Sequence, residues 1–361
     1  MKKFFTKNIT DWHGKSNKRI MPWKGEKDPY KIWISEIILQ QTRVEQGLLY
    51  YNNFIKAFET IASLARAEDN TVFKLWEGLG YYSRCKNILF TARHIVNNLE
   101  GKFPGSYEEI LGLKGIGPYT AAAISSFAYG LPHAVVDGNV YRVLARYFGG
   151  TIAIDSAKGK SYFTALANKV LYKPDPAGYN QAIMDFGATI CKPQIPQCEQ
   201  CVLQKKCVAF KNGLVNKLPI REKTLQRSKR WFYYFIFLYK NQVFINKRKE
   251  KDIWQNLHEF YLYEPDKDDW TSASIDRLLK DQLNIKKYRL LQMSQKFHQQ
   301  LTHQHLQGQF FLIELKTIPK ALKHFDLVKI DDLQLLAFPK LINSYLQMHP
   351  IKLSGDEEAE K

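Results

Sequence analysis

The sequence predicts two domains, a mainly α-helical domain followed by an α+β domain. From residue 28 to about 215, apolar residues recur at helical spacing, and short Gly/Pro breaks separate the runs. Beyond residue 230 the composition changes. Residues 231–239 and 243–245 are rich in aromatic and β-branched side chains, with Lys240-Asn241 between them, which is typical of a β-hairpin. A chain of 361 residues is also too long for one ordinary core.

These changes in composition set the expected boundaries. The helical domain is expected over residues 1–218 and the α+β domain over residues 231–345. Residues 219–230, PIREKTLQRSKR, are basic and have no core pattern, which favours a linker. Residues 346–361 are expected to form a tail that is partly disordered, because the sequence ends in the polar run GDEEAEK.

The charge of the chain indicates a polyanionic partner. The formal net charge is +18, and residues 1–220 hold 29 basic against 17 acidic side chains. Such a surplus suits the phosphates of nucleic acid, although a membrane surface could attract it too. No run is apolar over the length that spans a bilayer, and the first 15 residues lack the apolar core of a signal peptide. We therefore expect a cytoplasmic monomer with no membrane partner.

Cysteine spacing is the sharpest chemical signal. Four of the five cysteines, Cys191, Cys198, Cys201 and Cys207, fall within 17 positions. In a reducing compartment such clustering indicates a metal site more often than disulfides. Four close thiolates could bind one zinc ion or one iron-sulfur cluster, and four structural thiols without a metal are the plain alternative. The fifth, Cys85, lies inside a helical pattern and is expected in the core.

A glycine turn between two helices is the second signal. In LKGIGPYTAAAI, Gly115 and Gly117 precede an Ala-rich helix that begins at Pro118, and Ser106 with Glu109 forms a capping-box pattern for the helix before the turn. Backbone N–H groups at such a turn can hold a phosphate without reading sequence. A turn that only connects two helices has the same pattern, but the basic charge of the chain favours a turn that binds the phosphates of DNA.

Two carboxylates are the candidate catalytic groups. Glu36 has apolar residues three and four positions away, so its carboxyl is expected to be desolvated, with a raised pKa suited to a general acid. A surface Glu on an amphipathic helix is the alternative. Asp137 stands where a helix is expected to begin at Gly138, so it could be an N-cap, a catalytic carboxylate or both.

Taken together, the motifs resemble those of the endonuclease III superfamily and, within it, MutY-type adenine DNA glycosylases. The segments are MPWKG (21–25), SEIILQQTRV (35–44), WEGLGYYSR (76–84), LKGIGPYTA (113–121), VVDGNVYRVLAR (135–146), NQAIMDFGA (180–188) and the cysteine array. The resemblance is dense over residues 12–220 and looser to about 345. It implies a mainly α helix-hairpin-helix glycosylase domain with an iron-sulfur loop at 191–207, followed by an α+β Nudix-like domain.

The resemblance also implies roles for single residues. It implies a four-iron four-sulfur cluster on the four cysteines, Glu36 as general acid, and Asp137 as the group that stabilises the sugar cation. Tyr119 and Asn139 match positions that orient these carboxylates. Enzymes of the superfamily that also cut the strand have a Lys where this chain has Tyr119, so little lyase activity is expected. Gly115 and Gly117 belong to the DNA-binding hairpin of the family.

The implied partner is double-stranded DNA that contains adenine opposite 8-oxoguanine or guanine. Gln41 and Tyr81 match residues that wedge into the duplex, and Arg19, Trp23 and Gln181 match positions of the adenine pocket. Leu301, Thr302 and His303 stand where the family has a Phe-Ser-His-type loop that touches 8-oxoguanine. Here a Leu replaces the aromatic ring. The alternatives are an endonuclease III-like glycosylase/lyase for oxidised pyrimidines and a non-enzymatic iron-sulfur DNA-binding protein.

Overall fold

The computed structural model describes residues 1–21, 23–222, 226–268 and 270–351, which form two compact units. The first unit contains residues 1–67 and 86–222, and the second contains residues 68–85 and 226–351. Residues 223–225 of the predicted linker and residues 352–361 of the predicted tail lie outside the described residues. None of the described helices is long and apolar enough to cross a membrane.

Residues 1–222 are helical, as the periodicity predicts. The helices are α1 (Lys2–Ser16), α2 (Pro29–Leu39), α3 (Val44–Ala57), α4 (Ile61–Arg66), α5 (Asp69–Leu75), α6 (Ser83–Asn98), α7 (Tyr107–Gly112), α8 (Pro118–Tyr129), α9 (Gly138–Phe148), α10 (Ala157–Val170), α11 (Pro176–Thr189) and α12 (Val208–Lys211). In the first unit, α1, α9, α10 and α11 enclose a core centred on Phe5, Leu144 and Phe186, all at most 1 % exposed.

The helix boundaries follow the capping residues. Ser106 caps α7 with Glu109 in a capping box, and Pro118 is the first residue of α8, so both predictions are confirmed. The side chain of Asp137 accepts a hydrogen bond from the N–H of Val140, which makes Asp137 the N-cap of α9. Capping therefore fixes where each of these helices begins, and the residues of interest stand at those ends.

The turn between α7 and α8 requires glycine at one position. Gly115 has φ +81°, and a Cβ there would lie 2.6 Å from the Cβ of Asn87 on α6. Gly117 caps α8 with an ordinary φ of −99° and nothing within 4 Å of a Cβ. Only Gly115 is thus demanded both by its backbone conformation and by the close approach of α6.

The second unit is built on one mixed sheet. Its strands are β1 (Ser228–Tyr239), β2 (Gln242–Lys247), β3 (His258–Glu259), β4 (Tyr261–Tyr263), β5 (Tyr288–Met293), β6 (Phe297–Gln300), β7 (Gln304–Leu315) and β8 (Asp326–Lys329). The central order is β3-β2-β1-β7-β5, with β4 on β1, β6 on β7 and β8 on β2. The unit also contains the α-helices α5, α13 (Ser272–Arg277) and α14 (Lys340–Met348).

The long parallel pair of β1 and β7 forms the centre of this sheet. Their register runs from Ser228 opposite Gln304 to Leu238 opposite Glu314. Residues 232–238 of β1 are all buried, which is typical of a strand whose two faces are both covered. The predicted hairpin is confirmed, because β1 turns directly into antiparallel β2. β1 begins three residues earlier than expected, inside the segment interpreted as a linker.

Residues 68–85 belong to the second unit, although their sequence pattern is continuous with that of the helical domain. The ammonium group of Lys74 donates to the carbonyl of Leu336 at 2.9 Å, and a carboxylate oxygen of Glu77 accepts from the N–H of Phe338 at 2.7 Å. These partners are about 260 residues away along the chain, so no local pattern could predict the pairing. The second unit is therefore discontinuous in sequence.

Replacing Gly115 with Ala should lower the free energy of unfolding of the helical region by about 1–3 kcal/mol, because the left-handed backbone and the contact with Asn87 both become strained. Urea denaturation followed by circular dichroism measures this. Gly105→Ala is the matched control, because Gly105 has open space and no positive φ. It should leave stability unchanged or raise it by up to about 1 kcal/mol. Equal losses in both variants would contradict the expectation.

Candidate active site

One cavity of about 650 Å³ in the first unit gathers most of the predicted site residues of the helical domain. Its walls come from the segment before α2, from α2 itself, and from the amino-terminal ends of α8, α9 and α11. The predicted residues that line it are Arg19, Trp23, Glu36, Gln41, Tyr119, Asp137, Asn139 and Gln181. The fold thus brings together side chains that are up to 162 positions apart in the sequence.

Glu36 stands on α2 and is 7 % exposed. The pKa of its carboxyl is raised to about 7, mainly by burial and also by the nearby Asp137 carboxylate, while a hydrogen bond from the Tyr119 hydroxyl opposes this shift. The prediction that apolar neighbours desolvate this carboxyl is confirmed. A carboxyl with this pKa is about half protonated at neutral pH, so it can donate a proton and then accept one.

Asp137 is the N-cap of α9, and its carboxylate also lines the cavity. One oxygen, Oδ1, caps α9 through the N–H of Val140 at 2.7 Å, and Oδ2 accepts from the amide of Asn139 at 2.7 Å. Burial raises the pKa of the Asp137 carboxyl, while these hydrogen bonds and the charge of Arg142 oppose that shift. The carboxylate is therefore fixed in position as the helix cap and also faces the cavity.

Arg142 connects this end of α9 to the cysteine loop. Its Nη2 donates to Oδ1 of Asn139 at 2.8 Å and to the carbonyl of Gly187 at 2.7 Å, and its Nε donates to the carbonyl of Cys191 at 2.7 Å. The buried guanidinium thus holds Asn139 on one side and the first cysteine on the other. A continuous set of hydrogen bonds runs from the Asp137 carboxylate to the backbone of Cys191.

A second buried arginine, one turn along α9, fixes the rest of the loop. Arg146 donates to the carbonyls of Lys192, Pro193 and Leu218 at 2.7, 3.1 and 3.0 Å. One of its N–H groups also lies 3.5 Å from the sulfur of Cys191. Because two loop carbonyls, those of Lys192 and Pro193, accept hydrogen bonds from this one side chain, the protein itself anchors the start of the loop to α9.

The four predicted metal ligands surround one small cavity. Cys191, Cys198, Cys201 and Cys207 line it together with Arg146. Burial raises the pKa of Cys201 to about 12 and also raises that of Cys198 and Cys207, so a bound cation is needed to hold these groups as thiolates. Among the described residues, no three Cys, His, Asp or Glu side chains converge on one metal ion. A cubic iron-sulfur cluster does not require the thiolates to converge on one ion, because each thiolate binds a different iron atom.

The predicted base-pocket residues are held by a carboxylate that sequence reasoning missed. Asp185 on α11 is 0 % exposed and accepts from Nη1 of Arg19 at 2.8 Å and from Nε2 of Gln181 at 3.0 Å. Asn17 and Lys24 also donate to it, at 2.7 and 3.3 Å. Trp23 packs edge-on against Tyr51 with ring centroids 5.6 Å apart. The wall of the cavity is therefore built around one buried acid.

Sequence reasoning also missed Arg142, Asn17 and Lys24. One signal was present for Asp185: in NQAIMDFGA it follows Gln181 by four positions, so the two side chains share a helix face. Asn139 lies three positions from Arg142 on α9, but Cys191 and Gly187 are 49 and 45 positions away, so no local pattern indicated those two contacts.

The two predicted wedge residues share an unusual backbone. Gln41, after α2, has φ +57°, and Tyr81, in the second unit, has φ +49°. Such values are strained for residues with side chains, and strain of this kind concentrates at functional sites. Tyr81 is 43 % exposed, and Gln41 is exposed as well. Both side chains are thus presented rather than packed in a core.

In the second unit, Leu301, Thr302 and His303 form the turn between β6 and β7. The N–H of Leu301 donates to the carbonyl of Gln304 at 2.8 Å, and the carbonyl of His303 accepts from the N–H of Ser228 at 3.0 Å. The hydroxyl of Tyr81 is hydrogen-bonded to that of Thr302. The structure therefore joins a predicted wedge residue to the predicted lesion loop within one unit.

Comparison with known proteins agrees with this geometry. Residues 34–169 match the HhH-GPD superfamily of base excision DNA repair proteins, and residues 233–348 match the NUDIX domain. The adenine DNA glycosylase of Buchnera aphidicola subsp. Schizaphis graminum is 36 % identical over 83 % of this chain and 84 % of its own. That of Buchnera aphidicola subsp. Baizongia pistaciae is 38 % identical over 71 % and 73 %. A solved thermostable thymine-DNA glycosylase is 30 % identical, with a TM-score of 0.55, over 58 % of this chain and 97 % of its own.

The match to the HhH-GPD superfamily and the similarity to curated glycosylases identify a DNA N-glycosylase of base excision repair, whose cavity contains Glu36 and Asp137. The extent of the match to the Buchnera proteins narrows the assignment. The chain belongs to the adenine DNA glycosylase family.

Replacing Glu36 with Gln should remove a pH dependence of stability. Because the folded pKa of about 7 lies above the ordinary value of 4.5, the folded state keeps a proton that the unfolded state loses. Between pH 4.5 and 7 the free energy of unfolding of the wild type should therefore fall by about 3 kcal/mol relative to that of the variant. Urea denaturation across that range measures this, with the exposed Glu45→Gln as control. Parallel pH profiles for wild type and Glu36→Gln would disprove the burial argument.

Proposed function

We propose that this protein hydrolyses the N-glycosidic bond of adenine opposite 8-oxoguanine and, more weakly, opposite guanine. The observation that carries the proposal is the pair Glu36 and Asp137 in one cavity, with burial raising the pKa of Glu36 to about 7 and that of Asp137 above its ordinary value. Two carboxylates with separate environments are what acid-assisted cleavage of a glycosidic bond requires.

Glu36 is the proposed general acid. Adenine is a poor leaving group as an anion, so it must be protonated as the bond to the sugar breaks. The buried carboxyl of Glu36 holds that proton near neutral pH, and the hydroxyl of Tyr119 orients it. An adenine flipped out of the duplex could enter the 650 Å³ cavity and meet this group.

Asp137 is the proposed electrostatic partner of the sugar. As the base leaves, positive charge develops on the sugar ring, and a fixed carboxylate stabilises it. Asp137 cannot swing away, because its two oxygens are bound by Val140 and Asn139. Glu36, once deprotonated, would then take a proton from the attacking water. The reaction returns both carboxyl groups to their starting states.

Tyr119 bears on whether the strand is also cut. A lyase reaction needs an amine that forms a Schiff base with the sugar. Tyr119 contributes a hydroxyl whose pKa is raised well above 10 by burial and by the two carboxylates, so it stays protonated and serves only as a hydrogen-bond donor. We therefore propose a monofunctional glycosylase rather than a glycosylase/lyase for oxidised pyrimidines.

The turn Leu301-Thr302-His303 is the proposed reader of 8-oxoguanine. Thr302 contributes a hydroxyl, and the exposed His303 contributes a ring nitrogen that can donate or accept. Tyr81, whose hydroxyl is bonded to Thr302, adds an aromatic ring that could stack on a base. The polar turn and the ring together can contact one base of a duplex.

The cysteine loop is the proposed holder of a four-iron four-sulfur cluster. Cys191, Cys198, Cys201 and Cys207 would each bind one iron, and the group would supply a rigid cross-link rather than hydrolytic chemistry. Arg146 and Arg142 already attach this loop to α9. The loop carries Lys192, Lys205 and Lys206, whose charges suit DNA phosphates.

The test is single-turnover base release from a set of labelled duplexes. The set places adenine opposite 8-oxoguanine, guanine or thymine and includes thymine glycol as a control. We expect the fastest release of adenine opposite 8-oxoguanine, with strand breaks only after alkali treatment. The matched variant Glu36→Gln should bind the first duplex and release no base.

Two outcomes would overturn the proposal in different ways. Breaks at thymine glycol without alkali would establish the glycosylase/lyase reading. Tight binding by the wild type with no release from any duplex would establish a DNA-binding protein without this activity.

The rate of adenine release should depend on pH in both directions. It should fall by nearly tenfold per pH unit well above pH 7, because Glu36 loses the proton it must donate. It should also fall in acid as Asp137, whose pKa burial raises above its ordinary value, becomes protonated. Single-turnover rates at saturating enzyme measure this without interference from binding. A rate that still rises through pH 8 would remove Glu36 from the acid role.

A further inference from the structure

Asp185 stands beside the cavity but takes no part in the proposed chemistry. Its side chain is 0 % exposed, and three of the four described residues that donate hydrogen bonds to it line the cavity, namely Arg19, Lys24 and Gln181. Four donors converge on its two oxygens, two of them cationic. Burying a carboxylate is costly, and it is tolerated here because the charge is matched by Arg19 and Lys24.

This carboxylate decides which end of the Gln181 amide faces the cavity. A carboxylate can only accept hydrogen bonds, so the Gln181 NH₂ group must point at it, as it does at 3.0 Å. The amide oxygen Oε1 must then point the other way. Within the described part of the chain Oε1 makes no hydrogen bond, while Gln181 lines the cavity. The oxygen Oε1 of Gln181 is thus a hydrogen-bond acceptor that faces the cavity in a fixed position.

The same carboxylate also fixes a donor, the guanidinium of Arg19. Nη1 of Arg19 is engaged by Oδ1 of Asp185. The remaining N–H groups of that guanidinium have no partner among the described residues, and Arg19 also lines the cavity. Since Arg19 and Gln181 share the oxygen Oδ1, their positions are set relative to each other. The wall therefore presents an acceptor and a donor in a fixed order.

We infer that Asp185 is a positioning residue that makes the pocket select a 6-amino purine over a 6-oxo purine. Adenine carries an amino donor at C6 beside ring-nitrogen acceptors, which complements the amide oxygen of Gln181 and the guanidinium of Arg19. A 6-oxo purine places a second acceptor against that oxygen. A substrate that leaves such a buried polar group unpaired, or places a like group against it, can react slower by several powers of ten. The inference rests on the proposed adenine excision and names what sets its base preference.

The experiment compares three bases opposite 8-oxoguanine: adenine, hypoxanthine and unsubstituted purine. Each rate of single-turnover release is expressed relative to wild type. Asp185→Asn keeps the shape but can present either a donor or an acceptor, so Gln181 is free to turn. We expect adenine release to fall about tenfold or more and the adenine-to-hypoxanthine ratio to fall with it. Purine, which has no group at C6, should lose much less.

A second variant guards against a folding defect. Gln181→Met removes the amide and leaves the Asp185 charge and its cationic partners in place. It should lower the adenine-to-hypoxanthine ratio to a similar value, and the double variant should lower it no further. Asp11→Asn, a like change on α1 outside the cavity, should alter none of the three rates. Thermal unfolding of each variant, read in parallel, reports folding separately.

The results separate the inference from the proposed function. If the wild type releases no adenine, the proposed function fails. If the wild type releases adenine but Asp185→Asn slows all three bases by one factor, Asp185 is merely structural and the inference fails. Retention of the full adenine preference in Gln181→Met would overturn it as well.

Discussion

The hydrogen bond between Asp137 and the first turn of α9 is the contact on which the rest of the first unit's chemistry depends. This hydrogen bond attaches the carboxylate of Asp137 to the backbone of a buried helix, so the helix fixes the position of the carboxylate. The next two turns of the same helix carry Arg142 and Arg146, which bind the cysteine loop. Helix α9 therefore fixes both the carboxylate of Asp137 and the cysteine loop. Movement of either end strains a common set of buried hydrogen bonds.

Charge placement in the cavity follows a consistent rule. The two groups proposed to exchange protons or face positive charge, Glu36 and Asp137, have pKa values raised by burial. Asp185, which takes no part in the reaction, is surrounded by Arg19 and Lys24 instead. Burial thus dominates the environment of the proposed acid Glu36, whereas Asp185 has two cationic partners. Such a difference lets three acids lie around one cavity without competing for the same role.

Local chemistry was readable from the sequence, and distant pairing was not. Capping residues and helical neighbours lie within four positions, so the start of α9 at Asp137 and the burial of Glu36 could both be predicted. The approach of the four cysteines was also visible, since they lie within 17 positions. Arg19 and Asp185 are 166 positions apart, and no periodic pattern relates them. The same limit hid the membership of residues 68–85, whose helical pattern says nothing about which core they join.

The discontinuity of the second unit has a consequence for how the chain is made. A ribosome synthesises residues 68–85 well over a hundred residues before the strands β1 to β8 exist, so this segment must wait for its partners. During that interval Lys74 and Glu77 lack the backbone groups of Leu336 and Phe338 that they bind in the finished protein. The second unit is therefore assembled from two segments that are synthesised at different times. A fragment that ends before the strands would contain the segment that bears Tyr81 without the rest of its native unit, so this segment can reach its native contacts only after the strands have been made.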